Sequence, residues 1–132
     1  MARRDKRTGT GTHEFTVGAD DVHDGIGEVI IDNDWDWLTF DVDNTDAQAL
    51  DQFEVQAKVL STSDFATLST GWGTPNAHQF ANTNLAALAA TTKGSGRIRV
   101  TGLYSIQFVG SSATAASDTV IDWCLTRETD QR

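Results

Sequence analysis

The strongest constraint in this sequence is a strict two-residue alternation of apolar and polar side chains. It is clearest in FEVQAKVL, residues 53–60, where Phe53, Val55 and Ala57 alternate with charged or amide side chains. Successive side chains of a β-strand point to opposite faces, so a strand of this kind has one face to bury. A lone sheet would leave that face in water. The pattern therefore predicts two sheets packed face to face.

Similar segments recur along the chain, separated by turn-forming residues at intervals of about 8–12 residues, which is typical of a β-sandwich. They are HEFTV, IGEVIID, WDWLTFDV, FATLST, RIRVTGLYSIQFVG and TVIDWCLTR. We therefore predict an all-β fold, a single jelly-roll-like β-sandwich of about 7–9 short antiparallel strands. The segment NTNLAALAA, residues 82–90, has the apolar spacing of one short helix, which Asn82 or Thr83 could cap.

The length of 132 residues suits one domain with a substantial core. Residues 1–12, MARRDKRTGTGT, have no apolar periodicity and are predicted to form an extended basic N-terminal arm. Residues 13–127 are the predicted β-sandwich domain, and residues 128–132 are a polar tail. No apolar run approaches the ~18 residues of a membrane span, and no secretory signal is recognisable. We expect no membrane partner and synthesis in the cytoplasm.

Charge divides the chain into two unequal parts. The net charge is −9, but residues 1–7 contribute +3, which leaves −12 for the rest of the chain. Nucleic acid would repel such an acidic body, so we expect no nucleic-acid partner. The basic arm would suit an acidic neighbouring subunit, although a solvated terminus is the ordinary alternative. The candidate partner-binding residues of the arm are Arg3, Arg4, Lys6 and Arg7.

An aspartate-rich stretch, DNDWDWLTFDVD at residues 32–43, raises the question of a calcium site. Asp32, Asp34 and Asp36 have the spacing of the first three ligands of a calcium-binding loop. Such a loop needs glycine at its sixth position and glutamate at its twelfth, where this chain has Trp37 and Asp43. The three aspartates are weak metal candidates, and we predict no metal.

The familiar catalytic patterns are not recognisable. No G-x-S-x-G motif occurs, and His13, His23 and His78 lie among polar turn-forming residues, where surface histidines are expected. The single cysteine, Cys124, lies in the alternating pattern TVIDWCLT, which favours a half-buried strand residue. We predict that the protein is not an enzyme, that it has no catalytic residues and that it needs no cofactor.

Three tryptophans are candidate contact residues. Trp35 and Trp37 would be exposed if the alternation of Leu38 and Phe40 began that early, and Trp72 lies between two glycines. An exposed indole can enter a partner's pocket. It can also stack on a sugar ring, so a carbohydrate platform is the alternative interpretation of these three residues.

The second half of the chain contains a series of motifs in a fixed order. A strand LDQFEVQAK is followed by a short LAALA turn, the segment VTGLYSI and a terminal alternating strand TVIDWCL. Over roughly residues 48–126 this order resembles the small β-sandwich structural proteins of tailed bacteriophages.

The resemblance implies a head decoration or other minor virion protein. It implies location in the virion and no catalytic residues to transfer. We expect binding to the major capsid protein or other virion proteins through the arm and the sandwich edges, and a homo-oligomer in the assembly. A neck or tail component is the nearest alternative, and a carbohydrate-binding adhesin module is a further one.

Overall fold

The chain folds as an all-β sandwich, as predicted. The computed structural model describes residues 6–18, 21–32, 34–44, 50–67, 93–112 and 117–128. These residues form nine strands, with no helix in the same ranges. The strands are β1 (Lys6–Phe15), β2 (Asp21–Val22), β3 (Val29–Ile30), β4 (Trp37–Asn44), β5 (Leu50–Lys58), β6 (Ala66–Thr67), β7 (Lys93–Arg99), β8 (Ser105–Ser112) and β9 (Ser117–Thr126).

The strands form two antiparallel sheets. Sheet A has the order β1-β9-β4-β7, and sheet B has the order β2-β8-β5-β6. The short strand β3 also pairs with β8, so β2 and β3 share one edge of sheet B. The predicted helix at residues 82–90 lies outside the described residues. No helix in the described ranges is long and apolar enough to cross a membrane.

Aromatic packing joins the two sheets. The ring of Phe40 in sheet A lies 5.3 Å from Phe108 and 6.0 Å from Phe53, centroid to centroid, and both partners belong to sheet B. All three side chains are buried. Burying a side chain of this size contributes roughly 1.5–3 kcal/mol relative to leaving it exposed. The apolar positions of the alternation in β4 and β5 are therefore the core of the sandwich, as the sequence predicts.

The predicted N-terminal arm is in part a strand of the sandwich. Residues 6–12 belong to β1, which pairs with β9 of the same chain along its whole length, from Lys6 opposite Thr126 to Phe15 opposite Ser117. The boundary predicted at residue 12 is therefore wrong, and only residues 1–5 of the predicted arm lie outside the described chain.

Glycine explains why the sequence predicts a strand at HEFTV but an arm over residues 6–12. Gly9 lies opposite Trp123 on the inner face of β1, and a Cβ atom there would collide with the indole ring. A Cβ on Gly11 would lie 2.6 Å from the carbonyl oxygen of Gly25. The TGTGT repeat therefore alternates inward glycine with outward threonine. An alternation pattern based on apolar side chains therefore does not identify Gly9 and Gly11 as inward-facing positions.

Replacing Gly9 by alanine should destabilise the fold. We expect Gly9→Ala to lower the free energy of unfolding by about 1–3 kcal/mol, because the added methyl group overpacks the space that Trp123 fills. Thr8→Val, an isosteric change on the outer face of the same strand, should stay within about 0.5 kcal/mol of the parent. Urea unfolding midpoints measure both effects, and equal midpoints for the two variants would contradict the packing of β1 on Trp123.

Candidate functional site: the outer face of sheet A

Sheet A presents one ordered face to solvent. Alternate residues of its four strands point away from sheet B, and the strand register aligns them in rows across the sheet. The row at one end contains Lys6, Thr126, Trp37 and Arg99, in the order of the strands. We call this solvent-facing side of β1, β9, β4 and β7 the outer face.

Cations surround Trp37 at this end of the outer face. The guanidinium carbon of Arg97 lies 3.9 Å from the centroid of the Trp37 ring, and that of Arg99 lies 5.2 Å from it. Each such contact contributes about 0.5–1 kcal/mol at an exposed site. Arg99 also pairs with Glu128 at 2.7 Å, whereas Arg97 has no carboxylate within ion-pair distance among the described residues. Lys6, Trp37, Arg97 and Arg99 are the cationic cluster.

Carboxylates dominate the middle of the outer face. Asp41 of β4 lies directly opposite Asp122 of β9, and Asp43 follows two residues further along β4. Like charges directly opposite each other on neighbouring strands destabilise a sheet. The hydroxyl of Thr10 donates a 2.6 Å hydrogen bond to Asp122 Oδ1 and offsets part of this repulsion. Asp41, Asp43 and Asp122 are the acidic patch.

An open groove of about 450 Å³ lies on this face. The side chains that line it on the solvent side are those of Thr8, Thr10, Thr39, Asp41, Asp122 and Cys124. Hydroxyl groups and carboxylates of this kind hydrogen-bond polar groups of a partner. The outer face is therefore positively charged at the end that holds the cationic cluster and negatively charged in the middle, where the groove contains Asp41 and Asp122. Cys124 is half-buried on β9, as predicted.

Trp35 is not on this surface. The sequence analysis placed it beside Trp37 on an exposed face, but Trp35 is only 5% exposed and belongs to the core. The prediction is wrong because β4 begins at Trp37, so the alternation does not extend back to Trp35. The guanidinium of Arg127 covers the Trp35 ring at 4.2 Å. Trp37 does lie on the outer face.

Asp32, Asp34 and Asp36, the weak metal candidates, do not form a metal site. Asp34 accepts a hydrogen bond from Arg127 Nη2 at 2.9 Å. Asp32 lies in a turn with a positive φ of 49°. Among the described residues, no group of three histidine, cysteine, aspartate or glutamate side chains is placed to hold a metal ion.

Asp36 has a structural role at the end of sheet A. Its Oδ2 accepts the backbone N–H of Glu128 at 2.7 Å, and its Oδ1 accepts the hydroxyl of Thr101 at 2.9 Å. The hydrogen bond from Glu128 is the main reason that the pKa of Asp36 is lowered, and the Thr101 hydroxyl acts in the same direction. This carboxylate therefore ties the segment after β9 to the segment after β7.

The arm residues fall into two groups. Lys6 lies in the same row of the outer face as Trp37 and Arg99 and belongs to the cationic cluster. Arg7 points inward, where its Nη1 donates to the carbonyl of Ile30 at 2.8 Å and its guanidinium lies 5.5 Å from the Trp123 ring. The half-buried side chain of Arg7 thus makes contacts within the chain. The other predicted contact residues, Arg3, Arg4 and Trp72, lie outside the described residues.

Sequence reasoning did not single out Arg97, Arg99 or Asp122 as site residues. Their outward orientation follows from the alternation of β7 and β9, but their neighbours depend on which strands pair and in which register. The expectation of surface histidines also fails for His23, which is fully buried. His13 is half-buried and pairs with Asp21 at 2.8 Å.

Comparison with known proteins identifies the fold and no family. No family model matches the chain, and no curated protein matches it. The SPBc2 prophage-derived protein YomS has a similar structure, with a TM-score of 0.57 at 12% sequence identity over 96% of this chain and 99% of YomS. A protein of the disulfide-linked pili of Bacillus endospore appendages matches over 96% of this chain and 93% of its own, with 8% identity and a TM-score of 0.45. The chain thus shares its fold with a prophage-derived protein.

Removing the Asp36 carboxylate should destabilise the end of sheet A. We expect Asp36→Ala to lower the free energy of unfolding by about 0.5–1.5 kcal/mol at neutral pH, because the hydrogen bonds from Glu128 and Thr101 to the carboxylate are lost. Asp64→Ala, at an exposed position between β5 and β6, is the matched control and should change stability by less than about 0.5 kcal/mol.

The difference between Asp36→Ala and the parent should also depend on pH. A carboxyl group with a lowered folded pKa stabilises the fold above its unfolded pKa of 3.8 and loses this contribution as the pH falls through the folded value. Urea unfolding at neutral pH and near pH 3 measures the change. A difference that stays constant across this range would contradict the role given to the Asp36 carboxylate.

Proposed function

We propose that this chain is a structural protein of a bacteriophage virion, a capsid decoration protein that binds the major capsid protein. The observation that carries the proposal is the outer face of sheet A, a rigid surface with separate cationic and acidic parts. The prophage origin of the structurally similar YomS supports the phage assignment. The protein would be made in the host cytoplasm and function in the virion, with several copies in one assembly.

The cationic cluster is suited to bind carboxylates. Stacking on Trp37 restricts the guanidinium of Arg97, so less side-chain entropy is lost when a partner binds. A guanidinium presents several N–H donors in a plane that matches a carboxylate. We therefore propose that the partner places an acidic surface on this cluster.

The acidic patch complements the cluster by fixing orientation. A partner that is acidic opposite Arg97 must be neutral or basic opposite Asp41 and Asp122, since like charges in contact cost free energy. Two opposite charges on one face thus define a single direction of docking. The same patch disfavours DNA, which is useful to a protein on a particle filled with nucleic acid.

The structure favours a protein partner over a sugar. Of the three tryptophans proposed for a carbohydrate platform, Trp35 is buried and Trp37 has one ring face covered by Arg97. A glycan would have to displace that guanidinium or use the other ring face. A neck or tail location uses the same chemistry as decoration, because the cationic cluster specifies an acidic partner and not its position in the virion.

Reversing the charge of the cluster tests the proposal. Phage particles carrying Arg97→Glu should contain at least about tenfold fewer copies of the protein, a factor equivalent to ~1.4 kcal/mol. Arg132→Glu is the matched control, since it changes the net charge by the same amount at a residue of the predicted polar tail. It should leave the copy number unchanged. Thermal unfolding of both purified variants checks that they fold, and normal incorporation of Arg97→Glu would contradict the proposal.

Binding to isolated particle parts distinguishes decoration from the neck or tail alternative. The purified protein should bind empty shells of the major capsid protein and show no binding to separated tails. Retention on tails alone would assign it to the neck or tail instead. A glycan array provides the third comparison, because glycan binding that is lost in Trp37→Ala would favour the adhesin alternative.

A further inference from the structure

His23 lies at an unusual position for an ionisable side chain. Its exposed fraction is 0%, and its Nε2 lies 3.1 Å from the carbonyl oxygen of Thr119 in β9. A carbonyl only accepts, so Nε2 carries the proton and donates it. Nδ1 is buried without a hydrogen-bond partner. The neutral imidazole therefore makes one hydrogen bond and leaves one buried nitrogen unsatisfied.

The main chain of His23 organises the turn that follows it. Its N–H donates to the carbonyl of Phe108 in β8 at 2.8 Å. Its carbonyl accepts the N–H groups of Ile26 at 3.0 Å and Gly27 at 2.9 Å. Gly27 has a positive φ of 71°, which lets the chain turn back without strain. We call residues 23–27 the latch.

The latch closes one side of the sandwich. It connects β2 to β3, two strands of sheet B, yet it packs against β1 of sheet A. Gly25 lies against the main chain of Thr12 and against Gly11 so closely that neither glycine has room for a Cβ. Ile26 packs against the core. The side chain of His23, bonded to Thr119, is the polar anchor that holds this segment across the two sheets.

The surroundings of His23 do not favour a positive charge. The ring of Phe15 lies 5.5 Å away and that of His13, also on β1, lies 5.3 Å away. Asp21 of β2 is bonded to His13, and β8 carries no ionisable side chain. Asp24 in the latch and Asp118 on β9 are exposed. Burial is the main reason that the pKa of His23 is lowered, while the Thr119 carbonyl acts in the opposite direction.

We propose that the latch is an acid-sensitive closure: when His23 takes up a proton, its imidazole leaves the buried site and residues 23–27 detach from β1 while the two sheets stay folded. A proton on Nδ1 would place a positive charge in a fully buried site beside the ring of His13, whereas water hydrates the charge once the side chain has detached. Detachment uncovers the main chain of Gly11 and Thr12. The inference is independent of what binds the outer face.

The direction of the pH dependence follows from linkage. A histidine whose pKa in the closed form lies below its ordinary value of 6.5 binds a proton more readily in the open form. The closed latch is therefore fully favoured above pH 6.5 and loses stability as the pH falls below it. Between the two pKa values the closed-to-open ratio falls by up to about tenfold per pH unit.

Amide hydrogen exchange measured by NMR on the full chain tests the latch. Protection factors of the Ile26 and Gly27 amides should fall between about pH 7.5 and pH 5.5 by up to roughly tenfold per unit, while amides of the β5–β8 ladder keep theirs. His23→Gln, which cannot take up the proton, should abolish the pH dependence. His78→Gln, which removes a different histidine, should preserve it.

A second readout covers the case in which His23→Gln fails to fold. The imidazole of His23 in the parent protein can be titrated directly by its ring NMR signals. Its midpoint should lie below 6.5, and the loss of protection at Ile26 and Gly27 should occur between pH 6.5 and that midpoint. Constant protection down to pH 5.5, equal loss in the ladder amides, or a midpoint at or above 6.5 would each overturn the proposal.

Discussion

The structure depends on the burial of every second side chain of β4, β5 and β9 against the other sheet. Phe40 of sheet A packs against Phe53 and Phe108 of sheet B, and these aromatic contacts hold the sheets together. Because the pleat sends alternate residues outward, the same contacts also determine which side chains reach solvent. The outer face of sheet A is thus a consequence of the core: burial of Leu38 and Phe40 places Trp37, Thr39 and Asp41 outside.

The register of the sheet then decides what the outer face can do. Pairing of β4 with β7 brings Arg99 opposite Trp37, and pairing of β4 with β9 brings Asp41 opposite Asp122. A shift by one residue would send these side chains into the core, so the apolar residues fix the register as well. The arrangement of charges on the surface is therefore specified by residues that never touch a partner.

The sandwich itself was predictable from the sequence, because the apolar side chains of Phe53, Val55 and Ala57 indicate which face of the strand is buried. Gly9 and Gly11 point inward just as strictly, but the space they leave is used by Trp123 and by the turn at Gly25, which are distant in sequence. That is why the sequence predicts an arm over residues 6–12, the first part of β1. The cationic cluster was unpredictable for a related reason: the outward orientation of Arg97 is local, whereas its neighbour Trp37 is supplied by the pairing of strands far apart in the chain.

The acidic patch destabilises the sheet that carries it, and this cost supports the proposed role in recognition. Two carboxylates directly opposite each other weaken the β4–β9 pair, and a neutral residue at either position would pair better. The hydrogen bond from Thr10 satisfies one oxygen of Asp122 but leaves the charge in place. The core does not require an acid at Asp41 or Asp122, since both side chains face away from it. A surface that keeps such a pair beside two arginines that contact Trp37 has the separated charges that the proposed docking requires, because they can orient one partner and repel others.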